Sequence, residues 1–230
     1  MGVPPERSPT GVQARRTLPC AAMDDVNHTP MASVDELSRA CVEYVRRAVG
    51  IDLDGTPDTL PILDHYLGSL LEGAAETRAE VVELVVLAAG AYFGEVVRRA
   101  LGHGRWHLEE GDPAGNRLEL EHVFLFFNPM GMAREAVTGA EQPGWMAHLE
   151  VLPRDRPLLE QSLARMGDVR EDDYFRLAVR FEVVEQVVGA LEAASVSRQS
   201  PGEAFSPAVY AATARAVRGE AGSADPSREN

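Results

Sequence analysis

Between Val81 and Leu101 the chain reads VVELVVLAAGAYFGEVVRRAL, and this segment is apolar on almost every side. Placed at 100° per residue, Leu84, Val85, Ala88, Ala91 and Tyr92 form one apolar stripe. Val82, Val86, Ala89, Phe93, Val96 and Val97 form a second, and only a narrow face carries Glu80, Glu83, Gly90, Gly94 and Arg98. A helix that sits on a protein surface has one apolar stripe; one with two belongs inside. A buried central helix over about 75–101 is therefore expected, ended by Gly102 and Gly104. Its longest apolar run, Leu84 to Gly94, is too short to span a bilayer.

Two features of that helix run against its composition. Gly90 and Gly94 lie one turn apart on the narrow face, and each costs roughly 0.5–1 kcal/mol relative to alanine in a helix interior. Close approach of another backbone compensates such a notch; the alternative is a shallow groove for a ligand. Glu95 lies on the first apolar stripe with Arg99 one turn on. A carboxylate there is expensive unless paired, and the Glu-before-Arg order at i, i+4 favours the pair. The structural reading is a partly buried ion pair; the functional one is a general base in a pocket rimmed by Tyr92 and Trp106.

The rest of the body, residues 32–196, reads as a single α+β domain that is mainly helical. Ser33-Val34-Asp35-Glu36 is a capping box opening a helix to about Val49. IDLDG at 51–55 alternates as a short strand does, and Thr56-Pro57 starts a helix to about residue 72. Residues 105–109 and 117–127 predict two strands of a hairpin around EGDPAGN. The continuous VFLFF at the end of the second implies cover on both faces. A short helix follows Asn128-Pro129, a further strand falls within 144–152, and a helix spans 156–166. From Asp172 the positions Tyr174, Leu177, Phe181, Val184, Val188 and Leu191 step by three and four, which predicts a long helix capped by Asp172 or Asp173. Residues 1–31 are expected as a disordered tail, and 197–230 as a mostly disordered tail with a weak helix near 207–217.

The charge excess is localised. The chain holds 36 carboxylates and 22 basic residues, and every basic residue is arginine. Charges cancel within residues 1–31 and within 197–230, which leaves 15 arginines against 29 carboxylates on the central body. Such a body repels phosphate backbones and anionic lipid surfaces, so neither nucleic acid nor membrane is expected as a partner. A protein partner with a basic surface would be steered toward it. Without lysine there is no Schiff-base chemistry and no phosphate-loop lysine. Cys20 and Cys41 are the only cysteines, too few for a zinc site or a disulfide framework. A reducing cytoplasm is the expected compartment, and the N-terminus lacks a secretory apolar region.

Residues 90–106, GAYFGEVVRRALGHGRW, resemble a pattern in uncharacterised bacterial proteins: a helix with Tyr-x-Gly-Glu, then basic residues, then a tryptophan opening a strand. LPILDHYL at 60–67 is similar to a segment found upstream in such proteins. The resemblance covers about a third of the chain and carries no activity. It implies that Tyr92, Gly94, Glu95 and Trp106 belong to one structural unit.

Other chemistry-bearing residues have structural explanations. His103 and His107 have helical metal-pair spacing, but glycines and a strand start intervene; His107 and His122 remain a cross-strand pair to examine. Asp64-His65-Tyr66 reads as surface. Asp52, Asp54 and Asp58 lack the full calcium-loop spacing and read as a turn. No metal and no cofactor is expected. The leading expectation is a non-enzymatic, protein-binding factor, immunity-like or regulatory. The alternative is a hydrolase-type enzyme with Glu95 as base and Tyr92 assisting, and Gly90, Gly94, Arg99 and Trp106 are the candidate binding positions.

Overall fold

The first helix, α1 (Val34–Val49), starts where its capping box places it. The Ser33 hydroxyl accepts from the Glu36 N–H and the Glu36 carboxylate accepts from the Ser33 N–H at 2.8 Å. Leu37, Cys41 and Val45, one turn apart, are its buried face. In the computed structural model, residues 1–2, 33–72, 78–165, 167, 170, 173–198 and 205–223 are described. The chain divides after Pro30, and every element below belongs to the unit Met31–Asn230. Apart from Met1 and Gly2, the N-terminal tail expected over 1–31 lies outside the described residues.

These residues form a mainly helical α+β fold, with seven α-helices and a four-stranded antiparallel sheet among those described. Residues 51–55 are not a strand: they join no ladder of the sheet, Ile51 is exposed, and only Leu53 is buried. Asp54 accounts for the difference. Its carboxylate accepts from both the N–H and the hydroxyl of Thr56, at 2.9 and 2.6 Å, and so closes a turn. A single 3₁₀ turn, Pro57–Thr59, then leads into α2 (Leu60–Glu72).

Helix α3 (Ala79–Leu101) is the central element. From Val85 to Val97 every residue except Leu87 is buried. Its N-terminal turns differ from the expectation: Leu84, placed on an apolar stripe, is 46 % exposed, and Val81 is 47 % exposed. Residues 73–77, on which the expected start falls, are not among those described. Helix α3 packs most extensively on α1 and on α4 (Pro129–Thr138). The glycines explain how closely α4 approaches. A methyl at Gly90 would overlap the backbone of Met130, and one at Gly94 would overlap the Trp106 ring.

The sheet is a meander of β1 (Gly104–His107), β2 (Arg117–Leu120), β3 (Leu125–Phe127) and β4 (Glu150–Val151), in that spatial order. The strand expected over 117–127 is thus broken in two. Residues 121–124 form a turn that folds β3 back on β2, with Leu118 opposite Phe127 and Leu120 opposite Leu125. Both faces are covered, as the VFLFF run implied. Leu118, Leu120, Leu125 and Phe127 join the main core under α3, while Phe124 and Phe126 point to the other side. The strand expected in 144–152 is only the two residues of β4.

Helix α5 (Arg156–Arg165) precedes the long α6 (Leu177–Ser197). Helix α6 begins later than its apolar rhythm predicts, and neither Asp172 nor Asp173 is seen to cap it: Asp172 is not described, and Asp173 pairs with Arg176. Its cap comes from α2 instead. The Leu177 and Ala178 N–H groups donate to the two Asp64 oxygens at 2.7 and 3.0 Å. The surface expectation for Asp64-His65-Tyr66 therefore holds only for His65, since Asp64 is half-buried and Tyr66 is buried. Burial pushes the Asp64 carboxyl up, against the lowering effect of those two N–H groups.

Helix α7 (Pro207–Ser223) closes the outer face of the sheet. Its Tyr210 is fully buried, stacks on Phe124 with ring centres 4.4 Å apart, and donates its hydroxyl to the carbonyls of Leu120 and Val123. Those carbonyls flank the start and the middle of the 121–124 turn, so one side chain from a polar segment pins the break in the strand.

Two glycine substitutions should behave oppositely. Gly90→Ala gains helix propensity but drives a methyl into the Met130 backbone, and should cost about 2–4 kcal/mol net. Gly189→Ala, on α6 with open space around it, should stabilise by about 0.5–1 kcal/mol. Urea unfolding of both variants checks the pair, and equal effects would show that the notch is not filled as described.

Candidate functional site

Helix α3 and strand β1 meet at one charged cluster. Glu95 is 3 % exposed, surrounded by apolar helix neighbours on one side and the sheet on the other. Gly94, beside it, leaves space that the Trp106 ring fills, and this brings the indole N–H within 3.0 Å of Glu95 Oε1. Arg98 completes the arrangement with a two-pronged bond: Nε donates to Oε1 at 2.9 Å and a terminal nitrogen to Oε2 at 2.7 Å. Both carboxylate oxygens are thus committed.

The expected partner, Arg99, is present, but Arg98 is the closer one. Arg99 Nε stands 3.8 Å from Oε2, a secondary contact. Arg98 projects from the glycine face, on the side where the indole also reaches Glu95, so guanidinium and indole converge on the one carboxylate. Arg99 instead reaches across to the turn at Gly55, whose backbone (φ 79°) could not carry a side chain without striking the Arg99 guanidinium.

Tyr92 shares the helix but not the cluster. Its hydroxyl accepts from the Gly55 N–H at 2.9 Å and shares a hydrogen bond with Thr59 at 3.1 Å. Burial pushes this phenol up. The structure therefore brings Gly94, Glu95 and Trp106 together with Arg98, and sets Gly90 against α4 and Tyr92 against the turn after α1. The notch over Gly94, on the Trp106 side of the expected pocket, is occupied by the indole itself.

The electrostatics of Glu95 follow from these contacts. Burial pushes its carboxyl up, but the hydrogen bonds from Arg98 and Trp106 and the two arginine charges outweigh burial and hold it below the ordinary carboxylate range. Such a carboxylate is a weak proton acceptor, and three hydrogen bonds already engage its two oxygens.

A second buried charge cluster, on the outer face of the sheet, is absent from the sequence reading. Glu119, 1 % exposed, accepts from Arg105 Nε at 2.7 Å and from Arg117 Nε at 2.8 Å. Arg105 also lies 5.2 Å from the Tyr210 ring centre, as a cation over an aromatic face. The alternation Arg117-Leu118-Glu119-Leu120 was the available signal, but alternation alone places such charges in solvent; only α7, packed over them, buries them. Two further interior carboxylates have the same kind of partner: Glu135 meets Arg180 at 2.8 Å, and Asp155 meets Arg198 at 2.8 Å.

The histidines are arranged differently from the expected cross-strand pair. His107 faces Arg117 across the strands, whereas His122, in the turn, sits with its ring centre 6.3 Å from that of His103. Among the described residues no group of three or more His, Cys, Asp or Glu side chains is placed to hold a metal ion. No helix among them is long and apolar enough to cross a membrane. No protein-family model matches the chain, and no curated protein or solved structure is significantly similar to it.

Replacing Glu95 by Gln should test the clamp. Removing the charge from a two-pronged, charge-assisted contact should cost about 1.5–3 kcal/mol near neutral pH. Because the folded-state pKa is depressed, the wild-type advantage is full above the unfolded value near 4.5 and is lost as pH falls through the folded value. Denaturant unfolding of wild type and Glu95→Gln at about pH 7 and about pH 3 should show the gap closing in acid; a gap unchanged by pH would show that charge is not what holds the cluster.

Proposed function

We propose that this protein is a non-enzymatic, protein-binding factor of the bacterial cytoplasm, immunity-like or regulatory, that presents an acidic surface to a basic partner. The observation that supports this reading is how the arginines are used. Arg98, Arg105, Arg117, Arg180 and Arg198 are each drawn to an interior carboxylate, namely Glu95, Glu119, Glu135 or Asp155. Cations spent on interior acids no longer offset the outer ones. On α6, Glu182, Glu185 and Glu192 project from one exposed face, and neither Glu182 nor Glu185 has a basic partner among the described residues. A surface of this kind raises the encounter rate with a basic protein and rejects acidic ones.

The rival reading, a hydrolase with Glu95 as base, draws no support from the geometry. A base needs an oxygen that a substrate proton can reach. Glu95 has neither a free oxygen nor an open side, and the Tyr92 hydroxyl is turned away into the Gly55 turn.

Affinity capture with the full chain, from lysate of a bacterial host, tests the proposal at about 50 mM and about 500 mM salt. A basic protein should be retained at low salt and released at high salt, and a Glu182→Gln/Glu185→Gln bait should hold it less well. Recovery of no salt-sensitive protein partner by the wild-type bait would end the proposal.

A further inference from the structure

Beyond the acidic exterior, the outer face of the sheet holds a cleft in which the charge balance reverses. It opens between the β1–β2 hairpin and α7 and has a volume of about 430 Å³. Arg117 and Arg215 line it from opposite walls, His107 and Glu109 lie along the hairpin side, and Leu108 and Ala214 supply apolar surface.

Arg117 is the unusual member. Its side chain is 5 % exposed, and its only hydrogen bond among the described residues is from Nε to Glu119. Glu119 is already shared with Arg105. The terminal nitrogens of Arg117, with four of the five guanidinium N–H donors, have no acceptor among the described residues. These donors are not sealed from solvent, unlike the unpartnered Arg134 Nε; they border the cleft, where an anion could take them up. Arg215, exposed on the opposite wall, has no hydrogen bond or ion pair among the described residues.

The acids at the mouth do not neutralise this pair. Glu109 is bound to Arg218 at 2.9 Å, and Glu110 also has a partner. Partial burial and the Arg117 charge both lower the His107 pKa, so the positive charge of the cleft rests on its arginines.

Three properties narrow the ligand. A planar guanidinium edge with paired donors matches a carboxylate. The carboxylates at the rim and the net charge of −14 oppose a dianion such as a phosphate monoester. The apolar wall of Leu108, Ala211 and Ala214 suits an organic body, and the volume falls in the range of about 300–1,000 Å³ usual for small-molecule sites. We propose that this cleft binds a small organic monocarboxylate, with its carboxylate on Arg117 and Arg215 and its apolar body against α7.

Isothermal titration of the full chain with octanoate, benzoate, octanamide and inorganic phosphate tests this directly. At least one of the two carboxylates should bind saturably with a Kd below about 1 mM, and octanamide should not bind. Arg215→Ala, at an exposed position, should keep the wild-type melting temperature and weaken that binding about fivefold or more; Arg117→Met should weaken it at least about twentyfold. The proposal is overturned if neither carboxylate binds, if octanamide binds equally well, if phosphate binds more tightly, or if Arg215→Ala leaves the affinity unchanged. None of these outcomes depends on whether a protein partner exists.

Discussion

The structure depends on the absence of two side chains. Because Gly90 and Gly94 present bare backbone on one face of α3, the start of α4 can lie directly against the helix and the Trp106 indole can fill the next turn down. Alanine at either position would hold these neighbours away. The helix sacrifices roughly 1–2 kcal/mol of propensity for both glycines together. Burial of Met130 and most of an indole, at about 25 cal/mol per Å² of apolar surface, offsets this readily. The same contact sets the crossing of α3 over the sheet, since Trp106 belongs to β1, and it brings the indole N–H to Glu95. The helix packing and the charged cluster are therefore one construction.

A second theme is the exclusive use of arginine. Each deeply buried carboxylate considered above is met by a guanidinium, and Glu95, Glu119 and Asp155 are each met by two. A planar group with several fixed donors can satisfy both oxygens of a carboxylate, or bridge two acceptors, in ways a lysine ammonium cannot. Buried ion pairs of this quality do more to fix one arrangement of helices and strands than to raise stability, because desolvation cancels much of the attraction. Arg180 illustrates this. It ties α6 to Glu135 of α4 and also lies 4.7 Å from the Tyr174 ring centre, which fixes the chain just before α6.

Local signals were legible in the sequence, and long-range ones were not. The capping box at Ser33, the proline start of α4 after Asn128 and the central place of α3 follow from spacing alone, since each rests on residues within a few positions of one another. The departures share one cause, a partner distant in sequence. Arg98 holds Glu95 more closely than Arg99 does, on the side where Trp106 of β1 also donates to the carboxylate. The strand over 117–127 breaks because Tyr210 secures the turn from α7. The charges at Arg117 and Glu119 alternate as on a solvent-facing strand, and are buried only because a polar, proline-led segment folds over them.

The Asp64 cap carries a consequence for how the molecule assembles. A helix whose first turn is closed by a residue of its own can begin to coil alone, but the opening N–H groups of α6 find their acceptor more than a hundred residues upstream, on α2. Until the two segments meet, Leu177 and Ala178 offer unfilled donors, and the nucleation step that limits every helix is harder still. The cap of α6 therefore closes only when the helix docks on α2, which makes its first turn a reporter of tertiary order.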